Sequence, residues 1–358
     1  MLFVALPSSC GERVESYCLP GSSCWPSTQS VAVFGDSLDG QLVLPDNIRY
    51  ASLVSMVDTR TTRYPAMVVL VGSVSDVQKA VRFARSFDLK ISIRSSGHDF
   101  IGRSTGDGTL QINLSNMANI SVNTASSSWP AGEVTVESGN SWIRVYEEVD
   151  KHNRVMIGGS AHTVAMGGYT LGGGHSPISR TFGLAVDNLL GVEMVAVNGT
   201  LVRASANGTT YIDDDGGETH DSNADLFWAL RGGGGGTFGV VTKFTFKLHM
   251  PPDGMVRLVV IYPFMYLNGA IAADDVLRFY ENFVKTLPPQ WGGYAVISMG
   301  SVTESYYGTI LFAMNHFGSW NSPSRAAADT LYNFRRDLQL YRNYTTFRTF
   351  LEYEKNRG

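Results

Sequence analysis

Residues 158–175 read Gly-Gly-Ser-Ala-His-Thr-Val-Ala-Met-Gly-Gly-Tyr-Thr-Leu-Gly-Gly-Gly-His, which is seven glycines in eighteen positions. Each glycine costs folding entropy, up to about 1 kcal/mol relative to alanine in regular structure. Such a run implies that the backbone must pass close to a flat or charged group. A flexible linker fits poorly, because Val164, Met166, Tyr169 and Leu171 are apolar anchors of a kind linkers lack.

A second small-residue turn lies upstream. Residues 67–71 form a continuous apolar strand, and Val77, Ala80, Val81 and Ala84 mark one face of a helix over 75–87, capped by Ser73 or Ser75. A strand over 89–94 completes a β-α-β unit. It runs straight into Arg94-Ser95-Ser96-Gly97-His98-Asp99-Phe100-Ile101-Gly102-Arg103-Ser104. Gly97 and Gly102 free the backbone around His98, and N–H groups in such a turn can form a nest for a pyrophosphate. A surface loop with a solvated histidine is the plain alternative.

Strands are expected at 109–114 and 133–137, and a helix at 141–151 with Ser141 as cap and Val145 and Val149 inward. Asn198-Gly199 between apolar runs predicts a type I′ hairpin. A short helix at 225–231 and a strand at 240–248 precede Pro251-Pro252, the expected boundary. Beyond it, strands at 255–263 and 294–317 flank a helix at 273–287, and 324–357 reads as largely helical and charged. The chain thus divides into an N-terminal arm at 1–60, a domain at 61–250 and a partial domain at 251–358.

The formal charge of -4 offers no electrostatic case for nucleic acid or an anionic membrane. No run reaches the roughly 20 apolar residues of a membrane span, and the apolar residues 1–6 fall short of a signal core of about 7–15 residues. All three cysteines, Cys10, Cys18 and Cys24, fall within the first 24 residues, in a Gly/Pro/Ser-rich leader, which suggests a small disulfide loop and an oxidising compartment. Sequons at Asn113, Asn119, Asn198, Asn207 and Asn343 are consistent with secretion.

Competing motifs fail on context. Gly234-Gly-Gly-Thr-Phe-Gly239 has dinucleotide spacing, but a strand pattern rather than a helix follows it. Gly158-Gly-Ser-Ala-His162 lacks the final glycine of a nucleophile elbow, which weakens a hydrolase built on Ser160 and His162. No histidine pair has zincin spacing, there is no P-loop, and no metal site is expected.

The loop centred on Gly97-His98-Asp99-Phe100, with Gly102-Arg103-Ser104, resembles the histidyl-flavin loop of berberine bridge enzyme-like FAD-linked oxidases, of the wider vanillyl-alcohol oxidase/PCMH superfamily, and is closest to fungal-type members. Gly167-Gly-Tyr-Thr-Leu-Gly-Gly-Gly-His-Ser-Pro-Ile-Ser179 and Gly183-Leu-Ala-Val-Asp-Asn188 are similar to its further flavin contacts, and Cys24-Trp-Pro-Ser27 and Arg231-Gly-Gly-Gly-Gly235 also fit. The resemblance implies an α+β chain. A PCMH-type FAD-binding domain of two α/β subdomains would be followed by a partial substrate domain, an antiparallel sheet covered by helices. It implies FAD joined through a ring nitrogen of His98 to the 8α-methyl, in a secreted oxidoreductase acting on a small alcohol, sugar, alkaloid or terpenoid. Cofactor contacts would fall on Arg94, Ser95, Ser96, Gly97, His98, Asp99, Gly102, Arg103 and Ser104. In the second segment they would fall on Gly159, Ala161, Thr163, Val164, Gly167, Gly168, Gly172, Gly173, Gly174 and His175, and in the third on Leu184, Asp187 and Asn188.

Two departures shape the expectation. Many members carry a cysteine bonded to flavin C6; Ala161 stands at that position here, so attachment is expected through His98 alone. His162 stands where proline is common and reads as a tolerated change. Members also continue for roughly another hundred residues, in keeping with two full domains. That remainder, which carries the usual catalytic base, is expected on a separate chain, lost by cleavage near 354–358, or outside the given sequence. Tyr169, His175 and Tyr307 are the candidates for a base within this chain. Val164 goes with oxygen access in the family and implies an oxidase yielding hydrogen peroxide. The rival of another class is a non-catalytic flavin-binding or scaffold-only secreted protein, though a scaffold could have lost His98.

Overall fold

The computed structural model describes residues 17–302 and 305–356. Cys10, the apolar residues 1–6 and the end of the 354–358 stretch lie outside the described residues. The first layer is built from α1 (Thr28–Asp36), β1 (Gln41–Val43), α2 (Tyr50–Val54), β2 (Met67–Leu70), α3 (Val74–Ser86), β3 (Ile91–Arg94) and β4 (Leu110–Asn113). Its strand order is β1-β2-β4-β3, with β2, β4 and β3 parallel, so β4 inserts between the two strands of the expected β-α-β unit. Val77, Ala80, Val81 and Ala84 of α3 are buried against this sheet. Ser73 is the cap, its hydroxyl accepting from the Asp76 N–H at 3.2 Å. The fully buried Asp76 carboxylate accepts from the N–H groups of Asp39, Gly40 and Gly72, each at 2.8 Å. That charge-assisted set ties the N-terminal residues to the helix. Cys18 and Cys24 form a disulfide with Cα atoms 5.8 Å apart.

The second layer follows as β5 (Ile120–Asn123), β6 (Glu133–Glu137), α4 (Trp142–Asp150), α5 (Met166–Leu171), α6 (Ser179–Phe182), a 3-10 turn at Ala185–Asn188, β7 (Leu189–Val195), β8 (Leu201–Ser205), β9 (Gly208–Ile212), β10 (Glu218–Asp221), α7 (Asp225–Leu230) and β11 (Val240–Lys247). These strands make a seven-stranded antiparallel sheet in the order β10-β9-β8-β7-β11-β6-β5. Val145 and Val149 of α4 are buried, as their spacing predicts. Ser141 sits at the N-cap without a side-chain bond; the N–H groups of Trp142 and Ile143 instead meet the carbonyls of Val164 and His162 at 3.1 and 3.3 Å. The β7–β8 hairpin is not type I′. Gly199 N–H bonds the Ala196 carbonyl, Ala196 N–H bonds Thr200, and only Gly199 (φ 85°) is left-handed. The result is a three-residue loop with glycine at the αL position.

The third layer contains β12 (Met255–Tyr266), α8 (Ala273–Thr286), β13 (Trp291–Val302), β14 (Tyr306–Phe317), α9 (Ser322–Asn333), β15 (Tyr341–Phe347) and α10 (Phe350–Lys355). The sheet order is β13-β14-β12-β15, all antiparallel. Leu258, Val260, Tyr262, Ile310 and Phe312 bury one face against α8 and α9, while Val259, Ile261 and Leu311, on the alternate face, are half-buried. The stretch expected to be largely helical contains the edge strand β15, most of whose side chains are exposed. Met255, Phe317, Phe347, Phe350 and Tyr353 join the same apolar cluster as Trp142, Tyr146 and Phe244, so the end of the chain returns to the core under the second sheet. No helix among the described residues is long and apolar enough to cross a membrane.

Candidate functional site

Strand β3 delivers Arg94 beneath the turn at 95–104. Arg94 is buried, and its guanidinium donates to the Ser55 carbonyl at 2.5 Å and to Met56 Sδ at 3.5 Å. Gly97 has φ 82°, and a Cβ there would meet the Arg94 guanidinium at 2.5 Å, so the turn needs glycine for both conformation and space. Burial opposes charge on Asp99, but the Ile101 N–H and the Arg103 side chain and N–H hold its carboxyl below the usual range. These bonds close the loop that projects His98.

His98 is half-buried, and its Nε2 lies 2.9 Å from Thr163 Oγ1. Burial lowers its pKa, and the nearby Arg94 charge lowers it further. Both effects favour the uncharged imidazole, the form with a free lone pair. Ser96 Oγ accepts from the Ala165 N–H at 3.0 Å, so the two small-residue segments are stitched together twice, 65 and 69 residues apart.

Between them lies a cavity of about 420 Å³, within the usual range for ligand pockets. Of the residues expected to contact the cofactor, Ser95, Ser96, Gly97, His98, Asp99, Arg103, Ser104, Val164, Gly167 and Gly168 line it. Arg94 and Gly102 support the turn from outside the lining, and Thr163 reaches the site through His98. Gly159, Ala161, Gly172, Gly173, Gly174, His175, Leu184, Asp187 and Asn188 are also outside the lining. Asp187 bonds the Leu184 N–H and pairs with Arg231. Asn188 donates to the carbonyls of Phe182 and Leu184 and accepts from His249 Nε2 at 2.6 Å. Burial lowers the His249 pKa to about 4, with help from the Lys247 charge.

Gly235, Gly236 and Gly239 also line the cavity. They belong to the stretch set aside above for lacking a following helix, and the strand β11 does follow it. Glycine density, and for Gly235 the resemblance carried by Arg231-Gly-Gly-Gly-Gly235, were the signals that pointed to them.

A Cβ on Gly168 would meet nothing within 4 Å, and one on Gly235 would approach only the Gly168 Cα, at 3.9 Å. Neither would meet a side chain, so the two bare backbone segments lie beside each other in the cavity wall, which Ser95, Ser96 and Ser104 also line. That arrangement fits a flat, anionic group such as a flavin dinucleotide.

Across from the 158–175 segment, Tyr294 of β13 brings its hydroxyl to 2.9 Å from Ser160 Oγ, and its ring packs edge-on to His175 with centroids 5.6 Å apart. His162 Nε2 bonds the Glu354 carbonyl at 2.8 Å. Ser160 and His162, the residues of the hydrolase alternative, are thus engaged with different partners. Tyr169 donates to the His175 carbonyl at 2.6 Å, and Tyr307 is exposed near the start of β14.

Residues 65–205 match the FAD binding domain family. The chain is 32% identical over 390 residues to the FAD-linked oxidoreductase patO of Aspergillus clavatus, covering 94% of this chain and 64% of that protein. It is 30% identical over 344 residues to the VAO-type flavoprotein oxidase VAO615 of Thermothelomyces thermophilus, covering 82% of this chain and 57% of that protein. It therefore spans about three-fifths of the length of these relatives. In fold it is similar to BBE-like 1 of Physcomitrella patens, with a TM-score of 0.76 at 21% identity over 91% of this chain and 64% of that one. The chain carries an FAD binding domain, and its homologues are FAD-linked oxidoreductases and VAO-type flavoproteins.

Proposed function

We propose that the chain is the FAD-carrying part of a secreted oxidoreductase that holds the flavin covalently on His98 and uses molecular oxygen as acceptor. When bound, FAD would supply the hydride acceptor for oxidation of a substrate carbon. The observation that carries this reading is the half-buried imidazole of His98 in the lining of a glycine-walled cavity, its Nε2 2.9 Å from Thr163 Oγ1.

The chain's own residues supply attachment, shape and exclusion. His98 offers a ring nitrogen, and Ala161 offers no thiol for a second bond, so the linkage runs through His98 alone. Cys18 and Cys24 are joined to each other. Val164 lines the cavity with a small side chain, which favours oxygen access. The alternate face of the third sheet, with Val259, Ile261 and Leu311, provides an apolar wall on the substrate side, and Tyr294 docks it onto the cofactor segment. On this reading residues 61–250 carry the cofactor and 251–358 contribute to the substrate side. The substrate is a small organic molecule.

The disulfide supports an oxidising compartment. Asn119, Asn198, Asn207 and Asn343 are exposed and available for N-glycosylation, whereas Asn113 is 1% exposed on the central parallel strand β4 and is not.

The test is acid precipitation of the purified protein, a flavin spectrum of the pellet, and mass spectrometry of the peptide containing His98. Flavin mass on that peptide, lost in His98→Ala, is the expected result. A colourless pellet with an unmodified peptide overturns covalent attachment. Flavin that no candidate alcohol, sugar, alkaloid or terpenoid bleaches moves the reading to a non-catalytic flavin-binding protein.

A further inference from the structure

His162 has no role in the attachment chemistry described above, yet its imidazole joins two distant parts of the chain. The loop at 161–164 lies across the start of α4. The N–H groups of Trp142 and Ile143, which the first turn of a helix leaves without internal partners, bond the carbonyls of Val164 and His162. Val164 N–H closes the loop on the Ala161 carbonyl at 3.1 Å. Two successive side chains then leave it for different partners: Thr163 Oγ1 meets His98 Nε2 at 2.9 Å, and His162 Nε2 meets the Glu354 carbonyl at 2.8 Å.

Glu354 belongs to α10, 192 residues downstream of His162. That helix is firmly seated. Thr349 caps it, its hydroxyl accepting from the Glu352 N–H at 3.1 Å, and Phe350 and Tyr353 are buried in the core shared with α4. The Phe350 ring meets Tyr146 of α4 edge-on at 5.5 Å, and Lys355 pairs with Glu147 of α4 at 2.9 Å. The carbonyl that receives His162 is therefore fixed relative to the same helix that carries the loop's backbone.

We propose that His162 is a positioning residue: by donating to the Glu354 carbonyl it fixes the 161–164 loop, so that Thr163 holds the His98 imidazole in a single orientation for flavin attachment. This rests on the reading of His98 as the attachment residue. It couples cofactor loading to the docking of α10, so that the last described helix must be in place before the flavin is secured.

The experiment compares wild type, His162→Ala, His162→Gln, Thr163→Val and the double variant His162→Ala/Thr163→Val. One readout is the fraction of His98 peptide carrying flavin; the other is the histidine 15N spectrum of flavin-free protein, which reports whether His98 holds one hydrogen-bonded ring state. His162→Ala should lower the loaded fraction by about threefold to tenfold, the loss expected for one hydrogen bond. His162→Gln, whose amide can donate to the same carbonyl, should recover most of it. The double variant should load no worse than Thr163→Val, because both changes remove one arrangement. In the spectrum, His162→Ala should bring the His98 ring to the averaged state seen in Thr163→Val. Loading of His162→Ala at the wild-type level overturns the proposal, as do losses that multiply in the double variant. Failure of glutamine to rescue also overturns it. A wild-type chain without flavin on His98 breaks the attachment reading instead. The spectrum then decides the positioning role, and an unchanged His98 signal in His162→Ala overturns it.

Discussion

The turn at 95–104 and the segment at 158–175 are both dense in glycine, but their glycines serve different ends. In the turn, Gly97 and Gly102 adopt left-handed backbone, with φ 82° and 77°, and a Cβ would meet the Arg94 guanidinium at the first and Thr61 at the second, each at 2.5 Å. In the longer segment the glycines divide by what faces them. A Cβ on Gly158 would meet the Trp142 ring at 2.2 Å, and one on Gly159 the same ring at 2.8 Å. A Cβ on Gly174 would meet Ala185 Cβ at 2.4 Å. Gly168 alone combines an open Cβ direction with a place in the cavity wall. Clustered glycine therefore marks close approach without saying to what. Part of the segment makes room for a flat ring of the protein itself, and part makes room for a ligand.

That division can be broken by substitution. Gly158→Ala forces a methyl group into the ring of the fully buried Trp142 and should destabilise the fold by about 1–3 kcal/mol, the usual cost of overpacking. Denaturant unfolding checks this, and an unchanged midpoint would erase the distinction between the two kinds of glycine. Gly168→Ala should show the opposite profile. It should leave stability the same or raise it by up to about 1 kcal/mol as a helical glycine replaced by alanine, while weakening flavin binding about tenfold in a His98→Ala background, equivalent to ~1.4 kcal/mol. Flavin titration by fluorescence reads the second effect, and undiminished affinity would remove Gly168 from the cofactor wall.

A pH-dependent effect separates the cavity from the 182–188 stretch. His249, bonded to Asn188, has its pKa lowered from 6.5 to about 4 in the folded chain. The unfolded chain binds that proton first, so stability should be full above pH 6.5 and fall as the pH drops from about 6.5 toward 4. His249→Asn should flatten that window in unfolding curves recorded across it, without changing flavin loading. A loss of loading would tie Asn188 to the cofactor after all.

Elements with strong internal periodicity were legible from the residues. The buried face of α3 and the inward Val145 and Val149 of α4 follow from spacing within one or two helical turns. Strands β1, β5, β9, β10 and β15 were not read, and all of them except β9 lie at sheet edges. An edge strand pairs on one side only, so its sequence carries little burial pattern. The hairpin at Asn198-Gly199 shows the limit of dipeptide rules: Asn198 keeps negative φ and bonds the Thr200 N–H, and only Gly199 takes the left-handed position.

The sequence by itself determined the β-α-β start, the turn that presents His98, the small residues around it and the resemblance that joins them to FAD. Those features depend on backbone freedom, capping and periodicity over a few neighbouring residues. The tertiary structure decided which glycines face a ring and which face the cavity. It also brought Gly235 and Gly236 to the wall, turned Asn188 toward His249, and linked His162 to a carbonyl near the end of the chain. Those pairings join residues from 61 to 192 positions apart. They arise only when whole layers pack, because a side chain's partner is set by the surface laid against it and not by its neighbours in sequence.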